Sequence, residues 1–123
     1  MSSPRFLLGL IFLTFGLNGF LHFLPASLPS GTAGQFVGAL FVSHYLVVVF
    51  LLQLVAAVPL LINRYVPLAL TLLAPIIVNI LLFHLLMALN GLPLALVVTV
   101  LWIVVFLSAR SAFAGLWQQR IAA

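Results

Sequence analysis

Four apolar stretches, each near the length of a bilayer crossing, dominate this chain and leave little room for anything else. A helix needs roughly 20 apolar residues to span the hydrocarbon core. Residues 5–24, 45–62, 66–88 and 92–109 each meet that length within a residue or two. The breaks between them carry turn chemistry. Pro25, Pro29, Ser30, Gly31 and Gly34 mark the first loop, Asn63-Arg64-Tyr65 the second, and Asn90-Gly91 the third. Pro67 and Pro93 stand near the first positions of the spans they open, where a missing N–H costs nothing. Loops this short force antiparallel neighbours. The expected fold is therefore all-α: an antiparallel bundle of four transmembrane helices over residues 1–123, read as one transmembrane domain.

The first loop is the only long one. Within it Phe36, Val37, Leu40 and Phe41 fall at helical spacing. A short interfacial helix is expected over residues 33–42. The tail from Ser111 onward sets Phe113, Leu116 and Trp117 beside Gln118, Gln119 and Arg120, and reads as a short amphipathic helix. The apolar run near the N-terminus is longer than the core of a signal peptide and reads as the first span.

Composition narrows the chemistry. Of the 123 residues, 67% are hydrophobic and 3% are charged, all of the latter arginine. With no Asp or Glu there is no carboxylate pair, no Ser-His-Asp triad and no side-chain cage for Ca²⁺ or Mg²⁺. With no Cys there is no thiol chemistry and no iron–sulfur ligation. No catalytic residue stands out. The four arginines orient the bundle. With four spans, Arg5, Arg64, Arg110 and Arg120 all fall on one side, and positive charge favours the cytoplasm. Both termini are expected there. The charge reflects this topology rather than nucleic acid, because no basic patch exists.

Polar residues within apolar spans each need an account. Thr14, Asn18 and His22 follow at i, i+4 and i+8, and Thr71, Pro75 and Asn79 repeat that spacing. Both stripes are expected to face the bundle interior, with Gly16 and Gly19 allowing close helix approach. His84 lies five residues beyond Asn79, about 140° around a regular helix, so a kink at Pro75 or a π-type turn would be needed to align them. Gln53 lies near the middle of the second span beside Ala56 and Ala57. His22, His44 and His84 all fall toward the outer face, where three imidazoles suit proton transfer, a metal or haem. The candidate ligand-binding residues are Asn18, His22, Gln53, Asn79 and His84. No metal site is assigned, and haem is the weaker option for a cofactor, with a quinone the stronger. Interhelical packing is the competing role for the same side chains.

Two segments also carry a resemblance. The first is Gly9-Leu-Ile-Phe-Leu-Thr-Phe-Gly16-Leu-Asn18-Gly19-Phe-Leu-His22-Phe-Leu-Pro25. The second runs from Asn63-Arg64-Tyr65-Val-Pro67 through Ala74-Pro75-Ile-Ile-Val-Asn79 to Phe83-His84. Together they resemble the DoxX family of small four-helix membrane proteins, with Asn-Gly-x-x-His and Asn-x-x-x-Phe-His as the specific patterns. The resemblance implies a multi-pass protein of a bacterial inner membrane. It places Asn18, Gly19, His22, Asn79 and His84 at pattern positions. It further implies a ligand-binding or accessory subunit in membrane redox processes, holding a quinone, lipid or small polar ligand beside a membrane or redox protein partner, or as a homo-oligomer. A structural or chaperone-type role without chemistry is the alternative. Relatives often carry an acidic residue in the second helix where Gln53 stands, so a carboxylate-dependent proton step is not expected here.

Overall fold

The computed structural model describes residues 3–21 and 29–120. It contains five α-helices: α1 (Ser3–Leu21), α2 (Gly31–Val42), α3 (Tyr45–Ile62), α4 (Val66–Leu86) and α5 (Leu92–Ser108). Short 3₁₀ segments follow α4 at Leu89–Gly91 and α5 at Arg110–Trp117. No strand occurs among the described residues. Four segments are long and apolar enough to cross a membrane: α1, α3, α4, and α5 with its leading turn, Leu89–Ser108. They form a ring in which α1 packs on α3, α3 on α4, α4 on α5, and α5 back on α1. The protein is thus an all-α, multi-pass membrane protein.

Each helix buries a narrow strip and turns the rest outward. Leu8, Phe12, Ala56, Ala57, Leu60, Leu70, Leu73 and Val105 make the centre of the core. Val48, Val55, Leu68, Leu82, Val100 and Leu107 are exposed on the outside. An apolar exterior of this kind suits hydrocarbon, where only self-satisfied backbones persist. Helix association there depends on close packing rather than on the hydrophobic effect. The α1–α3 contact shows how. A Cβ on Gly9 would lie 3.0 Å from Leu61, and one on Gly16 would lie 2.9 Å from Leu54 and 3.3 Å from the Phe50 carbonyl oxygen. These glycines let the two helices meet nearly backbone to backbone.

The turns bring the basic residues to one end. Asn63 and Tyr65 both adopt left-handed backbone, which reverses the chain between α3 and α4. The N–H groups of Asn63 and Arg64 close on the Pro59 carbonyl. The carbonyl of Leu60, in the last turn of α3, accepts instead from the Arg5 guanidinium of α1. A cation there also offsets the negative end of the helix dipole. At the same end, the Trp102 indole N–H of α5 donates to the Leu70 carbonyl of α4 at 3.0 Å. Arg110 then opens the tail.

The expected interfacial helix is α2, beginning two residues earlier than expected. It packs on α3 at the end opposite the arginines, and its Phe36 ring lies 5.7 Å from that of Phe83 near the end of α4. The short amphipathic helix expected in the tail is the 3₁₀ segment Arg110–Trp117. Its Phe113 ring packs 5.0 Å from Phe106, which stacks on Trp102 at 5.2 Å. Leu116 and Trp117 remain exposed.

Candidate functional site

One cleft opens between α1, α3, α4 and α5, with a volume of about 240 Å³. Its walls are apolar: Ile11, Phe12 and Phe15 from α1, Phe50 from α3, Ile80 from α4, and Leu94, Ala95 and Val98 from α5. Two polar side chains border it, Gln53 of α3 and His84 of α4. Counted from the ends of α3 and α4 away from the arginines, helical rise sets them about 10 Å apart along the bundle. A cavity of roughly 150 Å³ holds a benzene ring, so this one suits a substituted ring or a stretch of acyl chain. A larger hollow, about 320 Å³, is lined by Ser3, Arg5, Phe6, Leu7 and Leu10. All five come from the first turns of α1, and its one charged group already caps α3.

Gln53 is only 7% exposed. Ala56 and Ala57, in the next turn, are fully buried and bring α3 close to its neighbours. The Gln53 Oε1 is buried with no hydrogen-bond partner. Such an orphan costs about 1–3 kcal/mol, and buried polar atoms are rarely left in that state.

His84 is held on two sides. Its Nδ1 lies 2.9 Å from the Ala88 carbonyl oxygen, just beyond the end of α4. A carbonyl oxygen only accepts, so Nδ1 carries the proton. In the neutral form of the ring Nε2 is then an acceptor. The Phe83 ring meets the imidazole edge-on at 5.1 Å. A Cβ at Gly91 would lie 2.2 Å from the His84 Cε1. Gly91 is therefore small because the imidazole occupies the space a side chain would take.

The sequence-based candidates divide. Gln53 and His84 meet at the cleft. Asn18 is half-buried on α1, one turn beyond Phe15 and on the same side by helical register. His22 and Pro25 lie outside the described residues. Asn79 does not face inward as expected. It is exposed, and its Nδ2 donates to the Pro75 carbonyl at 2.8 Å. Thr71 is exposed as well and donates to the Pro67 carbonyl at 2.9 Å. The Thr71–Pro75–Asn79 stripe thus lies on the outer surface of α4, each polar side chain turned back onto its own helix. The reason is register: α4 stays α-helical across Pro75, and its buried strip is Ala69, Leu70, Leu73, Ile76 and Ile77. Neither kink nor π-turn brings Asn79 around to His84. Thr14 is also exposed, so the α1 stripe starts outward. His44 is exposed at the α2–α3 junction, with left-handed backbone (φ 63°). Among the described residues no three potential metal ligands lie together.

The aromatic walls were not assigned from sequence. Phe50 owes its place to Gly19, where a Cβ would come within 2.2 Å of the ring. The sequence does flag Gly19 as a site of close approach, though not its partner. No family model matches the chain, and neither does any curated protein or solved structure.

Proposed function

We propose that this protein holds a compact, mostly apolar ligand, such as a quinone ring or a lipid chain, in the Gln53–His84 cleft, as an accessory subunit of a membrane redox process. The observation that carries this reading is the buried, unpartnered Gln53 oxygen at the edge of an apolar cleft. Apolar walls with a few convergent polar groups are the usual form of a small-molecule site. The resemblance to the DoxX family supports the same reading and sets it in a bacterial inner membrane. The arginines gathered at one end of the bundle support cytoplasmic termini. Since the chain has no carboxylate or thiol, the ligand or a partner protein supplies any redox chemistry.

The test is retention. Protein purified in mild detergent carries a bound molecule that native mass spectrometry detects. Gln53→Leu and His84→Ala each lower its occupancy by up to about tenfold, the effect of one lost hydrogen bond. Thr71→Val, on the outer face of α4, leaves it unchanged. Unchanged occupancy in both cleft variants would refute the reading. A second reading rests on the His84–Ala88 contact, which ties the end of α4 to the turn before α5. In that structural role His84→Ala lowers thermal stability and leaves any bound molecule in place.

A further inference from the structure

The orphaned polar atom at the edge of the cleft is an acceptor. Gln53 Oε1 is buried and has no donor. His84 Nδ1–H is committed to the Ala88 carbonyl, so its free ring nitrogen is Nε2, which in the neutral form of imidazole is an acceptor. Among the described residues no arginine borders the cleft, and no hydroxyl side chain does. The described walls therefore offer no Ser, Thr or Tyr to satisfy either acceptor. The Gln53 amide has its own N–H donors, but they cannot serve its own oxygen. The terminal torsion of a glutamine is broad, so rotation about it can present Oε1 to a group seated in the cleft. A hydroxyl there can serve either end of the Gln53 amide, donating to its Oε1 or accepting from its N–H. A ketone or ether serves only the N–H and leaves the oxygen orphaned.

We infer that the cleft selects a neutral, largely apolar ligand that bears a hydroxyl donor, in preference to the same skeleton with that hydroxyl masked. This rests on the proposed ligand-binding function and narrows it: of a quinone ring, the reduced, hydroxyl-bearing form is the one that satisfies Oε1. The selectivity follows from what a buried polar group demands: sites built to hydrogen-bond a substrate hydroxyl reject the analogue lacking it far more strongly than apolar pockets reject a change of size. A charged ligand is disfavoured, because the cleft offers no counter-charge and lies within the apolar span.

The probes are 4-octylphenol and its methyl ether, matched in shape and differing in one donor. Each is titrated against the purified full chain in detergent micelles, with occupancy read by native mass spectrometry. The wild-type protein takes up the phenol with an affinity about tenfold or more above that of the ether, the equivalent of one buried hydrogen bond. In Gln53→Leu, which keeps the volume and removes the acceptor, the preference collapses toward unity while the ether still binds. Equal binding of phenol and ether by the wild-type protein overturns this inference and leaves the ligand-holding function standing. Binding of neither overturns both.

Discussion

A single amide sets the tension at the residue scale. Gln53 is buried among apolar neighbours, and its oxygen finds no donor. Replacing a buried, unsatisfied polar group with an apolar one of similar size is often stabilising. Gln53→Leu is therefore expected to raise the thermal stability of the ligand-free protein, by about 1–2 kcal/mol, read as a higher melting temperature in detergent. A decrease would mean that the amide is satisfied in the membrane-embedded state. Stability withheld at a functional position is a common trade. His84 behaves differently. Its hydrogen bond to Ala88 and the room left by Gly91 make it part of the α4–α5 turn as well as of the cleft. The sequence reveals Gln53 and His84 as polar residues in apolar spans, and depth suggests an interior role. It does not reveal that they border one cleft, because that depends on how α3 and α4 are rotated about their own axes.

Rotation is also the lesson at the scale of the element. The spans, their antiparallel order and the interfacial α2 follow from apolar length and from Pro, Gly and Asn at the breaks. The facing of α4 does not. Spacing of Thr71, Pro75 and Asn79 at i, i+4 and i+8 shows that they share a side, and says nothing about which side. In water such a stripe would turn outward by default. In hydrocarbon a polar stripe is expected inside, yet Thr71 and Asn79 satisfy themselves on the carbonyls of Pro67 and Pro75, one turn back. Back-bonding of this kind lowers the cost of facing outward. The α1–α3 pair was more legible, because glycine has few other uses in a membrane helix. Gly19→Ala is expected to push the Phe50 ring aside, since the added Cβ would fall 2.2 Å from it. Overpacking of this sort costs about 1–3 kcal/mol. Gly38, in α2, has nothing within 4 Å of a Cβ, so Gly38→Ala should hold or raise stability by up to about 1 kcal/mol through helix propensity. Thermal melts of the two variants check the contrast. Equal destabilisation would show that α1 and α3 do not meet at the glycine face.

At the scale of the whole molecule, charge and geometry converge. Arg5 caps the end of α3, Arg64 sits in the following turn, and Arg110 opens the tail after α5, so the cations cluster at one end of the ring of helices. The cap explains more than orientation. Tying α1 to the α3–α4 turn fixes the relative height of the first three spans, and the guanidinium answers a carbonyl that the helix itself leaves open. α2 covers the opposite end, where its Phe36 meets Phe83, the residue before His84. The cleft thus has its polar imidazole toward the α2 end and its Gln53 amide near mid-span. A ligand reaching His84 from the bilayer surface would then pass beside α2 rather than the basic end. The orientation proposed from the arginines is directly measurable, because the chain has no cysteine of its own. Single cysteines placed at Ser30, just before α2, and at Ser111, in the tail, report the two ends separately. With the arginine end in the cytoplasm, Ser30→Cys is labelled by a membrane-impermeant maleimide in intact cells from which the outer barrier has been removed. Ser111→Cys is labelled only after the membrane is opened. The reverse pattern would invert the bundle and place the α2 end, with His84, on the cytoplasmic side. Labelling of both positions from outside would break the even number of spans on which the shared placement of the arginines depends.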